Sequence, residues 1–178
     1  FPDMAIFGKA LGNGYAITSI IGKQEIMEAA QKTFISSTFW TERIGPTAAL
    51  KTLEIMEDMK SWDIITEKGN YLREGWVKIA KQNDLDLELS GIPALSSFKI
   101  ISNYFLEYKT FITQEMLKRR ILATTVFYAS IAHTEKILKK YFKELDIIFK
   151  KIKYFENGGN IMNYLETKAA TETFGRLN

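Results

Sequence analysis

One lysine stands among small residues in Phe7-Gly8-Lys9-Ala10-Leu11-Gly12-Asn13-Gly14-Tyr15, just after the apolar run Met4 to Phe7. Three chemistries compete for Lys9. A solvated surface charge is the ordinary fate of a lone lysine. A phosphate anchor needs the pattern G-x-x-x-x-G-K-[ST]. Here Ala10 replaces the hydroxyl residue and no glycine opens the loop, so that reading is disfavoured. A Schiff-base nucleophile must be a neutral amine, and burial at a strand end favours the neutral form by desolvation. Flanking Gly8 and Ala10 leave room for a flat aromatic cofactor. Spacing alone does not lift this third reading above the first. Elsewhere, Arg43, Arg119 and Arg120 each suit a substrate carboxylate by a bidentate pair, and nothing in the pattern selects one.

Several elements must position these groups. Met4 to Phe7 reads as a short buried strand, and Gly8, Gly12 and Gly14 punctuate the turn after it. Tyr15 to Ile21 is β-branched and apolar and reads as a second strand, stopped by Gly22. Lys23 to Gln31 fits a short helix, and Thr33 to Thr41 a loop or strand. Gly45-Pro46 opens a helix with a buried stripe of Ala49, Leu53 and Met56. Ser61 is a candidate N-cap for the next helix, whose apolar positions Ile65, Leu72, Trp76 and Ile79 continue to about Lys81. Leu85, Leu87 and Leu89 alternate with acids as a half-buried strand. Gly91-Ile92-Pro93 breaks it, and Leu95 to Ile101 returns as its hairpin partner.

Thr113 to Arg120 predicts a short helix, and Ile121 to Thr125 and Phe127 to Ser130 predict extended pieces. Thr134 is placed to cap a long helix with the stripe Leu138, Tyr141, Phe142, Leu145, Ile148 and Ile152. Its outer lysines, Lys136, Lys139, Lys140, Lys143, Lys150 and Lys151, read as a solvated face. Residues 156–178 read as a polar tail with one helical turn at Ile161 to Leu165. A boundary near Met59 to Trp62 separates residues 1–60, which are sheet-edge material and a linking helix, from residues 61–178, which run helix, strands, helix.

Composition narrows the function. The 178 residues are 46% hydrophobic and 25% charged, with a net charge of +3, a globular balance with no single-sign block of the kind that binds nucleic acid. There are no cysteines and one histidine, which argues against disulfides, thiolate metal sites and a histidine-rich metal centre. No apolar run approaches the roughly 20 residues of a membrane helix. A cytoplasmic location is the default expectation. The chain opens on Phe1, almost inside a strand, which is the expectation for a piece of something longer.

Three segments together carry a family resemblance. The stretch Pro2-Asp3-Met4-Ala5-Ile6-Phe7-Gly8-Lys9-Ala10-Leu11-Gly12-Asn13-Gly14-Tyr15-Ala16-Ile17 resembles the cofactor-lysine segment of class III aminotransferases. These are pyridoxal-phosphate (PLP) enzymes that include the glutamate-1-semialdehyde aminomutases. Phe34 to Glu42 resembles the family's threonine loop, and Tyr128-Ala129-Ser130-Ile131-Ala132-His133-Thr134 resembles the turn before its last long helix. The resemblance implies an α/β fold: the end of a type I PLP-transferase large domain (residues 1–60), followed by a small α+β C-terminal domain (residues 61–178).

It further implies that Lys9 holds PLP covalently and shuttles a proton, and that Thr38 contacts the cofactor phosphate. It implies no metal, a small-molecule amino donor and oxo acceptor, and a homodimer with shared active sites. The family's pyridinium aspartate, stacking aromatic and glycine-rich phosphate turn lie upstream of its lysine and outside these residues, and Asp3 does not replace them. Thr125 stands where the aminomutases carry a glutamate, which favours aminotransferase over aminomutase. His133 reads as a structural hydrogen-bonder rather than a base, and Phe39 and Trp40 as substrate-pocket or interface residues. The alternative is a non-catalytic dimerisation or binding module derived from the family. The 178-residue chain mixed with PLP is expected to give no stable absorbance of lysine-bound cofactor; a robust band that borohydride traps on Lys9 would show the opposite.

Overall fold

A computed structural model describes residues 2–35, 38 and 41–171. The readings placed on Phe39 and Trp40, and on the end of the tail, lie outside the described residues. The chain divides into two compact units, Phe1–Ser61 and Trp62–Asn178.

In the first unit β1 (Met4–Phe7) pairs antiparallel with β2 (Ser19–Gly22), in the register Met4 to Gly22 and Phe7 to Ser19. β2 is shorter than the apolar run predicts. The turn after Lys9 holds the chain until Tyr15, whose N–H donates to the Gly12 carbonyl, so residues 15–18 serve as a return path. The predicted helix over Lys23–Gln31 forms as one turn, α1 (Gln24–Met27), continued by a 3₁₀ segment, Glu28–Lys32. α2 spans Ile44–Met59, with Pro46 in its first turn. Its predicted stripe holds only in part: Ala49 is buried, Met56 half-buried and Leu53 exposed. The strands show the same excess of apolar surface, with Ile6 68%, Ile20 51% and Ile21 55% exposed. Strands apolar on both faces belong to sheets covered on both sides, and no described element of this unit supplies that cover.

The second unit has the core that the first lacks. α3 (Ser61–Gln82) begins at Ser61 itself rather than being capped by it, because Lys60 before it adopts a left-handed φ of 48° and ends α2. β3 (Leu87–Ile92), β4 (Leu95–Ile100) and β5 (Val126–Tyr128) form an antiparallel sheet in that order. The hairpin turns at Pro93-Ala94, at the end of the predicted break Gly91-Ile92-Pro93. Gly91, at φ 79°, stays within β3, where a Cβ would stand 2.2 Å from the Leu95 carbonyl oxygen. Arg73 of α3 braces that hairpin by donating to the Gly91 carbonyl at 2.9 Å.

α4 (Phe105–Lys118) begins eight residues before the predicted Thr113. Its first half is rich in aromatic and β-branched residues, which mask a helical stripe of Tyr108, Phe111, Ile112 and Met116, all buried. α5 (Glu135–Glu156) is capped as expected: Thr134 Oγ1 accepts from the Ile137 N–H at 3.4 Å. Its buried stripe adds Phe149 and Phe155 to the predicted set and leaves Phe142 half-buried. The outer lysines are partly engaged, Lys139 with Glu135 and Lys150 with Asp146. Residues 121–125 make no strand, and a 3₁₀ turn follows α5 at Ile161–Tyr164.

At the centre of this core, Trp76 from α3 lies edge-on to Phe98 of β4, with ring centroids 4.7 Å apart. Its indole N–H donates to Tyr141 Oη of α5 at 2.8 Å. One buried ring therefore ties both long helices to the sheet.

His133, just before α5, fixes the turn that delivers that helix. Its Nδ1 accepts the Ser130 N–H at 3.1 Å, its ring lies 4.7 Å from that of Phe127, and its carbonyl accepts from Lys68 of α3. Burial, and then the Lys68 charge, push its pKa below the usual 6.5. The native ring thus binds its proton less tightly than the unfolded one.

Two outcomes are expected. Trp76→Ala should lower the free energy of urea unfolding by about 3–5 kcal/mol, the cost of emptying a large buried aromatic site. Because the unfolded chain takes up the extra proton, stability should fall as pH drops below 6.5. His133→Gln should flatten that slope above the carboxylate range, as read from unfolding midpoints against pH.

Candidate functional site

The turn after β1 places Lys9 by backbone geometry rather than by side-chain contacts. Gly8 is extended, and Lys9–Leu11 then form a single 3₁₀ turn. The Leu11 N–H donates to the Gly8 carbonyl, and the Asn13 N–H to the Lys9 carbonyl, each at 3.1 Å. Lys9 itself has a left-handed φ of 49°, Asn13 one of 47° and Gly14 one of 108°. A non-glycine residue in that region costs about 1–2 kcal/mol. Such strain persists only where the surroundings dictate it, and it gathers at functional sites.

The expectation of a lysine buried at a strand end is corrected. Lys9 is exposed. Among the described residues it takes part in no ion pair, so its amine is not committed to a carboxylate.

Thr38 is also exposed, in a turn. It lies in the first unit with Lys9, and no hydrogen bond joins the two among the described residues. Beyond it, the Glu42 carboxylate accepts the N–H groups of Ile44 and Gly45, the latter at 3.1 Å to Oε2. This half-buried acid thereby caps α2, where an anion is favoured by the helix dipole. Sequence reading gave Glu42 no role. The signal was an acid two to three residues ahead of a Gly-Pro helix start.

The remaining candidates separate. Arg119 is held by Glu115 at 2.8 Å and by Glu144 at 3.0 Å, which occupies its guanidinium. Arg43 and Arg120 are exposed. His133 belongs to the second unit and serves its turn. Thr125 is buried, and its carbonyl accepts the Phe98 N–H at 3.0 Å. Among the described residues no acid or histidine cluster could hold a metal ion, and no helix is long and apolar enough to cross a membrane.

The residues present suit PLP. A free primary amine stands on a defined turn between Gly8 and Ala10, and a hydroxyl is available at Thr38. Lys9 could hold the cofactor's aldehyde carbon and Thr38 a phosphate oxygen.

Comparison with known proteins narrows the assignment. The family profile of aminotransferase class-III matches residues 1–126. A 3-aminobutyryl-CoA aminotransferase of Cloacimonas acidaminovorans (strain Evry) is 39% identical over 93 residues, 52% of this chain and 22% of that protein. A glutamate-1-semialdehyde 2,1-aminomutase of Methanosphaera stadtmanae is 27% identical over 168 residues, 85% of this chain and 40% of that protein. The chain therefore spans well under half the length of these relatives. Among solved structures, the PLP internal aldimine form of the FumI protein of Sphingopyxis sp. MTA144 superposes with a TM-score of 0.80 at 21% identity, covering 92% of this chain and 40% of that one. The mixed helix-and-sheet architecture is thus that of the PLP-transferase aminotransferases, and the chain belongs to the class III aminotransferase family.

Proposed function

We propose that this chain supplies the cofactor lysine of a PLP-dependent enzyme that moves an amino group between an amine or amino acid and an oxo compound. The observation that carries the proposal is Lys9. Among the described residues it is an uncommitted amine on a left-handed backbone position at the end of β1, within the stretch that the class III profile matches. Bound PLP would supply an electron sink for carbanion character at the substrate's α-carbon. Lys9 would hold the cofactor and then, once released by an incoming amine, move a proton to and from that carbon. Thr38 would donate its hydroxyl hydrogen to a phosphate oxygen, a charge-assisted bond.

Several further features belong to the same reading. The functional unit is a homodimer with shared sites, in which Thr38 serves the partner subunit's cofactor. The exposed apolar side chains of β1 and β2 are covered by the upstream part of the class III fold, so the 178 residues alone do not turn over. An aminotransferase is preferred to an aminomutase, since a threonine, Thr125, stands where the aminomutase resemblance calls for a glutamate. In the full-length protein, Lys9→Ala is expected to abolish the PLP adduct that borohydride traps, read by peptide mass. It should also slow transfer by at least about 10²–10⁴-fold, the scale of a positioned acid–base group. An undiminished adduct in that variant, carried by another lysine, overturns the assignment.

A further inference from the structure

The lysine turn and the start of α2 meet across one side chain. Gly12 closes the turn and is buried; a Cβ there would stand 2.1 Å from the Tyr15 carbonyl oxygen and 2.8 Å from Ile17 Cγ2. Gly45, in the first turn of α2, is also buried. A Cβ there would stand 2.8 Å from the Ala16 carbonyl oxygen and 3.2 Å from Ile17 Cβ. Ile17 therefore sits between two glycines, one from each element, where an added methyl group would meet the Tyr15 carbonyl oxygen and Ile17 at Gly12 and the Ala16 carbonyl oxygen at Gly45. In a unit whose apolar side chains are mostly exposed, this is a close-packed point.

Glu42 braces the same point. Its carboxylate takes the Gly45 N–H at 3.1 Å to Oε2 and at 3.3 Å to Oε1, together with the Ile44 N–H. Gly45 thus carries two contacts at once, its amide on Glu42 and its Cα against Ala16 and Ile17. Glu42 lies only four residues beyond Thr38. The amides that open α2 are satisfied by the chain's own carboxylate, so they are not available to a phosphate group.

We infer that the Ile17–Gly45 joint, braced by Glu42, is a positioning element that holds the Lys9 turn in place against the start of α2. The inference rests on the proposed function and adds the residues that hold its amine in place. Neither Glu42 nor Gly45 touches the cofactor. They act by fixing the backbone that carries Lys9, where a displacement of about 1 Å is worth on the order of a hundredfold in rate.

The test uses the full-length protein and four variants: Gly45→Ala, Glu42→Gln, Lys9→Ala, and Ile152→Val as a core control in the second unit, where Ile152 is fully buried. Four quantities are read: PLP affinity by equilibrium dialysis, the rate of borohydride trapping on Lys9, amide exchange of Leu11, Asn13 and Tyr15 in the cofactor-free protein, and Tm. Gly45→Ala and Glu42→Gln should weaken PLP binding and slow trapping by about ten- to a hundredfold, and speed exchange at the three amides. Ile152→Val should lower Tm and leave the other three quantities unchanged. Wild-type affinity, trapping and exchange in a folded Gly45→Ala or Glu42→Gln variant overturn the inference. If Gly45→Ala does not fold, Glu42→Gln decides alone, since it keeps the side chain's shape. Lys9→Ala separates the two readings. Trapped PLP surviving in it refutes the proposed function. Trapping lost there but unaltered in the joint variants refutes only the joint.

Discussion

A lysine held at φ 49° is the constraint on which the candidate site depends. An L-residue does not stay in the left-handed region without compensation. Here the compensation is a short ladder of backbone hydrogen bonds, Leu11 to Gly8, Asn13 to Lys9 and Tyr15 to Gly12, each at 3.1 Å. It is closed by a glycine that no other residue could replace without meeting a carbonyl oxygen. The result is an amine whose starting point and direction are set by main chain. Its reactivity then depends on what is laid over it, and the described residues of this chain lay little there.

The two units stabilise themselves in different ways. The second closes an aromatic and aliphatic core around Trp76, Phe98, Tyr141 and Phe149, and its polar interior is satisfied locally. Asn83, for example, donates to the Ile79 carbonyl and to Asp146, each at 2.8 Å. Among its described residues, the first unit buries Gly12, Gly45, Ala49 and Ser61, where a domain would bury branched side chains. Its two-stranded sheet leaves Ile6, Ile20 and Ile21 uncovered. Roughly 25 cal/mol per Å² of apolar surface removed from water is stabilisation that this unit does not collect by itself. Under the proposed function, a lysine borne on such a unit needs other parts of a larger fold to cover it.

Some of this was legible in the residues. The long stripe of α5 and its Thr134 cap are local signals, because a helix that packs by one face must repeat its apolar residues every three to four positions. The β3–β4 hairpin followed from alternation flanked by Gly and Pro. α4 was half missed because aromatic and β-branched residues favour strands in isolation, whereas in the folded chain Tyr108, Phe111 and Ile112 are buried and that burial outweighs the preference. β2 was overextended because an apolar run says nothing of how many residues a preceding turn consumes.

Residue types and their order alone singled out Lys9 as the candidate amine, matched the three segments to a family, and set the helix stripes of the second unit. All of these are properties of spacing along one chain. Tertiary structure decided the rest: the left-handed backbone under Lys9, its exposure, the capture of Arg119 by two acids, the Glu42 cap, and the clasp of Ile17 between Gly12 and Gly45. The Arg119–Glu144 pair and the Gly45–Ile17 contact arise where segments distant in sequence meet, while the Lys9 turn and the Glu42 cap are local arrangements that carry no apolar periodicity. Contacts of the first kind are set by three-dimensional closure, which no one-dimensional periodicity encodes.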